Sequence, residues 1–469
     1  MDGITRLSAG ELAARMRGGD LTCAEVMTAF TDRIRRLNGR VNAIIQMDLD
    51  AAMRAAEAAD ADRAAGRAEG ALFGVPVAVK DNFDVAGFRT TYGAAALRNN
   101  WPDADSLHVQ RMKAAGAIVV GKTNMPEFAF GADTDNALWG RTRNPYALDR
   151  TAGSSSGGAG AALALDLVPL ADGTDLGGST RIPASWCNVA GYRPSTGVVP
   201  KVPSVAPFDR LHVMGPMARR VDDLRLMLSV VSGRDPRSPI APPFGPEEFA
   251  APLNGDLAGM RIAFSVGSAS FTIDPAVTRA LAPCADALSD AGAAVSEDDP
   301  NVAFMARSQP VFRALCAAEY AGWAVDEYGL ELGHDILDLV AQSRHMTGYE
   351  MERAYAARVK AWHILADFFT RYDLICWPTT SGTAFRPEEV SHDDYDWGTV
   401  YISPALDLPT ASVPGGFTEA GLPIGLQIVG PPGSDRKVLE AAEAVERGLR
   451  VWERNPPVDR PVVAVPVAE

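Results

Sequence analysis

Gly153-Ser154-Ser155-Ser156-Gly157-Gly158 and Gly173-Thr174-Asp175-Leu176-Gly177-Gly178-Ser179 are two serine-glycine turns. Between them, residues 156–166 read as a helix and 167–171 as a strand, and the run closes with Arg181-Ile182-Pro183-Ala184-Ser185. Helix and strand in alternation indicate an α/β core with buried strands. Glycines in such numbers let the backbone turn tightly and aim its N–H groups at one point. The serines bring hydroxyls to the same point. Turns of this kind cradle an anion or stabilise one that forms during a reaction.

The alternation extends outward from this block. Upstream, Gly74-Val75-Pro76-Val77-Ala78-Val79-Lys80 reads as a strand, 106–115 as a helix and 117–120 as a strand. The N-terminal segment, 1–66, is helical; Ser8-Ala9-Gly10-Glu11 and Thr22-Cys23-Ala24-Glu25 both fit the capping-box pattern. Downstream, 217–231 is helical, and 234–254 is a proline-rich connector. Strand signals resume at 261–264 and recur at 373–377, 410–413 and 425–429. Helices are expected over most of 303–370 and over 435–450, before a Pro/Val-rich tail.

The chain has 469 residues, 47% of them hydrophobic and 22% charged, with a net charge of −15. This balance suits a soluble globular protein and argues against a nucleic-acid surface, which needs clustered Lys and Arg. No apolar run of 18 residues suggests a membrane span, and the N-terminus shows no signal-peptide pattern. Cys23, Cys187, Cys284, Cys316 and Cys376 are scattered, as expected of free thiols in a reducing cytoplasm.

Three motif readings compete for the chemistry, beside a weaker SxxK match. Gly116-Ala117-Ile118-Val119-Val120-Gly121-Lys122-Thr123 matches the phosphate-binding pattern GxxxxGK[ST]. Its four central residues are themselves strand-like, so the loop that the mechanism needs is absent. Gly153-Ser154-Ser155-Ser156-Gly157 matches GxSxG. None of His212, His334, His345, His363 and His392 stands in a distinctive context as its partner. Ser434-Asp435-Arg436-Lys437 matches SxxK without its companion motifs and reads as a helix start. The third reading joins both serine turns with Lys80. Only six lysines occur among 44 basic residues, so a lysine in an apolar strand calls for a reason. Lysine can give up its proton when buried, whereas arginine cannot. Desolvation lowers its pKa, and Asp81, adjacent in the strand, points to the opposite face.

Lys80, the Ser155–Ser156 pair and the Gly173–Ser179 run followed by Arg181 and Pro183-Ala184-Ser185 resemble the amidase signature family of serine hydrolases. The resemblance is densest over 70–200 and continues through 408–414 and 421–430. The intervals Lys80–Ser155, 75 residues, and Ser155–Ser179, 24 residues, resemble the family's spacing.

The resemblance implies a Ser–cis-Ser–Lys triad. Ser179 is the expected nucleophile, Ser155 (after a cis peptide bond) the proton relay, and Lys80 the base. The N–H groups of Leu176, Gly177, Gly178 and Ser179 are the expected oxyanion hole, with Thr174 supporting the serines. Phe128, Ala129 and Phe130 are expected to line the acyl pocket. Asp175 is expected to bond N–H groups of its turn and Arg181 to hold that turn together. The chain departs from the family's common GGSSGGS at Ala159, from GTDTGGSIR at Leu176 and Thr180, and from GLKPT at Tyr192, Arg193 and Ser195. None of these removes a triad member.

The expected fold is a single large α/β/α domain with a mixed, mostly parallel central sheet flanked by helices. Residues 255–469 complete that sheet and cover the site. The expected activity is hydrolysis of a small carboxylic amide to acid and amine or ammonia, with no metal or organic cofactor. A homodimer is compatible with this reading, and no nucleic-acid or membrane partner is expected. Two alternatives are the glutamine-hydrolysing subunit of a tRNA-dependent amidotransferase and a non-catalytic scaffold.

Overall fold

Both predicted capping boxes form in the computed structural model, which describes residues 2–240, 244–267, 271–390 and 398–459. Ser8 Oγ accepts the Glu11 N–H at 3.1 Å, and Glu11 returns the bond to the Ser8 N–H at 2.8 Å. Thr22 and Glu25 repeat the exchange at the start of helix Cys23–Val41. That helix buries Val26, Phe30, Ile34 and Leu37, the stripe expected at helical spacing.

Thirteen strands follow in chain order among the described residues. They are β1 (Ile44–Met47), β2 (Pro76–Lys80), β3 (Ile118–Thr123), β4 (Arg143–Asn144), β5 (Ala147–Thr151), β6 (Leu170–Asp175) and β7 (Ala190–Arg193). The rest are β8 (Val213–Ala218), β9 (Arg261–Phe264), β10 (Ala294–Ser296), β11 (Leu374–Pro378), β12 (Thr410–Phe417) and β13 (Pro423–Val429). Strands β4 and β5 form a separate hairpin; the other eleven make one sheet, ordered β1-β3-β2-β6-β8-β7-β12-β13-β11-β9-β10. Strands from both sides of the proline-rich connector lie in this one sheet, and helices flank it in a single domain.

The sheet is mixed, but the expected parallel majority is corrected. Four of its ten pairings are parallel and six antiparallel. Helix–strand alternation predicts parallel neighbours, yet β8 inserts between β6 and β7 and runs against both. β12 and β13 are joined by a tight turn and pair antiparallel.

Two parallel pairings position the chemistry. β2 lies between β3 and β6, with Val77 opposite Leu170 and Ala78 opposite Ala171. In this register the carboxyl ends of β2 and β6 come side by side, bringing Lys80 to Thr174. Open α/β sheets bind ligands at such strand ends. The helix Gly157–Ala164 enters from the first serine turn and is buried from Gly157 to Leu163. It fits because its residues are small: a Cβ on Gly158 would stand 2.4 Å from the Asn124 backbone nitrogen.

Candidate active site

Lys80 ends β2 with no solvent exposure. Its Nζ donates to Ser155 Oγ at 2.7 Å, to Thr174 Oγ1 at 2.8 Å and to Ser156 Oγ at 2.9 Å. All three partners are neutral hydroxyls. Desolvation therefore outweighs the attraction of Asp172 and Asp175 and lowers the Lys80 pKa to about 7. At neutral pH a large share of this lysine is the free amine. Asp172 accepts the Lys80 backbone N–H at 2.6 Å and lies 2.9 Å from His108 Nε2. Asp81, the carboxylate adjacent in sequence, turns away: it accepts from Thr91 and the Gly93 N–H and lies 3.7 Å from Lys122 Nζ.

The second turn is held by Asp175. Its carboxylate accepts the Gly178 N–H at 3.0 Å, the Thr180 hydroxyl at 2.8 Å, Arg181 Nε at 2.9 Å and Arg181 Nη2 at 2.8 Å. Arg181 and Arg193 hold the Asp175 carboxyl well below the usual carboxylate range despite complete burial. Arg181 also donates to Gln427 Oε1 and the Val400 carbonyl, so it ties the turn to β13 and to helix Gly398–Leu406. Gly178 has φ +94°. Its N–H is already given to Asp175, so it is not free to serve the oxyanion hole expected of it.

The two turns meet at Ser179. Its Oγ lies 2.9 Å from Ser154 Oγ and 3.4 Å from the Ser155 backbone nitrogen. The direct Ser179–Ser155 hydroxyl contact implied by the resemblance is replaced here by the contact to Ser154. The expected cis bond also differs: among the described residues the cis bond is Val202–Pro203, and Ser154–Ser155 is trans. Trans is the lower-energy form of a non-proline bond, and through it Ser155 Oγ already reaches Lys80.

Ser155, Thr174, Leu176 and Ser179 line a cavity of about 240 Å³. Phe128, Ala129 and Phe130 form part of its wall. Phe128 and Ala129 carry φ of 49° and 68°, and Phe128 stacks on Tyr92 with ring centroids 5.3 Å apart. Phe83, His108, Lys201, His212, Tyr320 and Trp323 also line this cavity, and no sequence pattern assigns any of them a role there. Lys201, one of only six lysines, carried the same compositional signal as Lys80. Its Nζ donates to Tyr320 Oη at 3.0 Å and the Asp209 carbonyl at 2.9 Å, and lies 3.3 Å from the Asp209 carboxylate.

Asp209, Cys316 and Glu319 place ligand atoms within 4.8 Å of one another. The Asp209 carboxylate is already engaged by Lys201, Tyr320 and the Leu211 and His212 N–H groups, so an ammonium serves it as cation.

A protein-family model described as Amidase matches residues 25–439. The chain belongs to the amidase signature family. This amidase is 34% identical to an acylamidase of Rhodococcus erythropolis, over 98% of each chain. It is 35% identical to a glutamyl-tRNA(Gln) amidotransferase subunit of Acidothermus cellulolyticus, over 96% of each chain. Among solved structures, a bacterial aryl acylamidase superposes with a TM-score of 0.86 at 27% identity, over 97% of this chain and 99% of that one. A 6-aminohexanoate cyclic dimer hydrolase bound to its substrate gives 0.85 at 26%, over 96% and 99%. Membership of this family makes the protein an enzyme that hydrolyses amide bonds.

The competing motifs of the amidase find structural roles. Lys122 lies in β3 and donates to the Phe83 carbonyl at 2.7 Å, so the phosphate-loop match is a strand. Lys437 lies 3.2 Å from Asp373, beyond the start of helix Asp435–Leu449. His212 lines the cavity, but Ser155 and Ser179 bond to other groups; His392 lies outside the described residues. The five cysteines are free and buried. Among the described residues no helix is long and apolar enough to cross a membrane.

Proposed function

We propose that this amidase cleaves carboxylic amides through an acyl-enzyme on Ser179, with Lys80 as base and Ser155 as relay. The observation that carries the reading is a buried Lys80 whose Nζ meets three hydroxyls and no carboxylate. A serine hydroxyl is a weak nucleophile and needs a positioned base. Lys80 accepts the Ser155 proton as Ser155 takes that of Ser179, which requires the Ser179 hydroxyl to exchange Ser154 for Ser155. The same path returns the proton to the leaving nitrogen. The N–H groups of Leu176, Gly177 and Ser179 serve the tetrahedral oxyanion, each worth about 3–4 kcal/mol when such a donor is well aimed. Gly178 acts through its conformation, and Asp175, Arg181 and Thr174 keep the turns in place. Phe128, Ala129 and Phe130 contact the substrate.

A second reading is the glutamine-hydrolysing subunit of a tRNA-dependent amidotransferase, favoured by the 35% identity to such a subunit. The aromatic wall of the cavity suits an apolar substrate better than glutamine. The deciding experiment uses the isolated chain without tRNA or partner. Expected are hydrolysis of simple amides and labelling of Ser179 by a fluorophosphonate, both lost in Ser179→Ala. Labelling without turnover favours the amidotransferase reading. Absence of both supports a scaffold.

A further inference from the structure

Ser179 stands where two unequal cavities meet. Leu176, Ala129, Phe130 and Ser179 line both. The larger measures about 240 Å³ and is walled by Phe83, Phe128, Met214 and Trp323 among others. The smaller measures about 30 Å³ and is closed by Gln309, Arg313 and Tyr401. One water needs roughly 10–15 Å³ on such a measure, so the smaller space takes a group of a few atoms.

Two of the three hydroxyls of the first turn divide between these spaces, while Ser156 bonds Lys80 without lining either. Ser155, bonded to Lys80, lines the larger cavity together with Thr174. Ser154 lines the smaller one; its Oγ bonds to Ser179 and to the Gly131 carbonyl, at 3.2 Å. That side therefore has no hydroxyl in contact with the base.

The tetrahedral carbon at Ser179 carries the serine oxygen, the oxyanion, the acyl carbon and the leaving nitrogen. With the oxyanion on the turn's N–H groups, the acyl carbon and the nitrogen go one to each cavity. The nitrogen must receive its proton from Ser155, so it belongs on the larger side.

Resting on the reading of Ser155 as relay, we infer that the substrates are small-acyl amides of bulky apolar amines, with an aromatic amine filling the larger cavity. In acylation the Ser179 Oγ–C bond forms and the C–N bond breaks. The Ser179 proton reaches the amine through Ser155 and Lys80. Water then cleaves the ester, giving the small acid and restoring the hydroxyl. Phe128 thereby moves from the expected acyl wall to the amine wall, while Ala129 and Phe130 serve both sides. The aromatic geometry suits a flat ring: Trp323 meets Phe128 edge-on at 6.2 Å, and Tyr92, which also lines the cavity, stacks on Phe128.

The test is kcat/KM of the full chain over two series. One is anilides with acetyl, propionyl, butyryl and hexanoyl groups; the other is primary amides of benzoic and phenylpropionic acids. Expected is a maximum at acetyl or propionyl anilide, a fall of at least about tenfold by hexanoyl, and a similar deficit for the primary amides. Gln309→Ala, which opens the smaller cavity, should raise the butyryl-to-acetyl ratio several-fold. Rates that rise with acyl length, or primary amides turning over faster than anilides, overturn the assignment while leaving the amidase chemistry standing. No turnover in either series, with Ser179 unlabelled by a fluorophosphonate, overturns both.

Discussion

Lys80 Nζ lies 2.7 Å from Ser155 Oγ, and the two residues are 75 positions apart in the chain. The bond joins the end of a sheet strand to a turn between a strand and a helix, so the fold itself sets the distance. The other hydroxyls around Nζ come from Ser156 and Thr174, which makes the lysine a member of a hydroxyl network and not of an ion pair. Its charge is costly there. Lowering its pKa from 10.5 to about 7 amounts to roughly 5 kcal/mol held against the protonated form.

The division of labour between Ser155 and Ser154 is testable by deletion. Ser155→Ala removes the first-turn hydroxyl that both contacts Lys80 and borders the larger cavity, and kcat is expected to fall by at least about 10³-fold. Ser154→Ala removes the present partner of Ser179, leaves the relay intact, and should cost no more than about tenfold. Both variants should keep the wild-type circular dichroism spectrum. Equal losses in the two would remove Ser155 from its special place.

Lys80 also fixes a pH dependence. Its working form is the neutral amine, so kcat/KM is expected to rise about tenfold per pH unit below 7 and to level off above it. Stability follows the same group with a definite sign. Between pH 7 and 10.5 the unfolded chain holds this proton and the folded chain does not, so the Lys80 contribution to stability rises with pH. Lys80→Met, inactive, should lack that slope; its stability relative to wild type should drop by about 3 kcal/mol from pH 7 to pH 10. Denaturant titrations at the two pH values measure this. Parallel pH dependences of the two proteins would contradict it.

Much of this site was legible because its parts lie in short segments. Glycines and serines announced both turns, and Asp175 was expected to bond N–H groups of its turn and Arg181 to hold it together, although the buried ion pair between them appears only in the fold. Lys80 stood out because the chain otherwise prefers arginine. What escaped was set by distant partners. The contact of Ser179 with Ser154 depends on backbone direction within a turn, which composition does not fix. Tyr320 and Trp323 reach the cavity from helix Gln309–Asp326, more than a hundred residues beyond Ser179, where the sequence showed only helical periodicity. The antiparallel insertion of β8 was hidden for a related reason: local pattern identifies a strand but not its neighbours.

Gly178 offers a test of the turn's shape. A Cβ there would meet Val400 Cβ at 2.6 Å, and φ +94° disfavours any side chain. Gly178→Ala is expected to lower stability by about 1–3 kcal/mol and kcat by more than tenfold, because the neighbouring N–H groups of Gly177 and Ser179 must shift with it. Thermal unfolding and steady-state rates on one substrate separate the two effects. Val400→Ala retains the offending Cβ and should not rescue the variant. Full activity in Gly178→Ala would show that the turn tolerates a different backbone at this point.

Asp175 carries the most structural consequence per atom. It compensates Arg181, which has no solvent exposure, lies 3.7 Å from Arg193 Nη1, and anchors Gly178 and Thr180. Breaking a buried pair by deleting one partner costs about 3–5 kcal/mol, since the remaining charge stays buried and unpaired. Asp175→Ala should therefore fail to fold or melt far below wild type. Asp175→Asn is the more informative variant. It keeps a carbonyl for the Gly178 N–H but removes the carboxylate that pairs with Arg181 and Arg193. It should destabilise by a few kcal/mol and lower kcat with little change in KM, because the turn that orients Ser179 loosens while the cavity wall persists. The carboxyl's depressed pKa gives the sign of its pH effect. Its stabilisation is complete above the ordinary carboxylate range and is lost only as pH falls through the depressed folded-state value. Between pH 8 and 9, where folded Lys80 is largely neutral with or without this carboxylate, the stability difference between wild type and Asp175→Asn should accordingly stay constant, and a difference that grows steadily across that window would assign the stabilisation to another group.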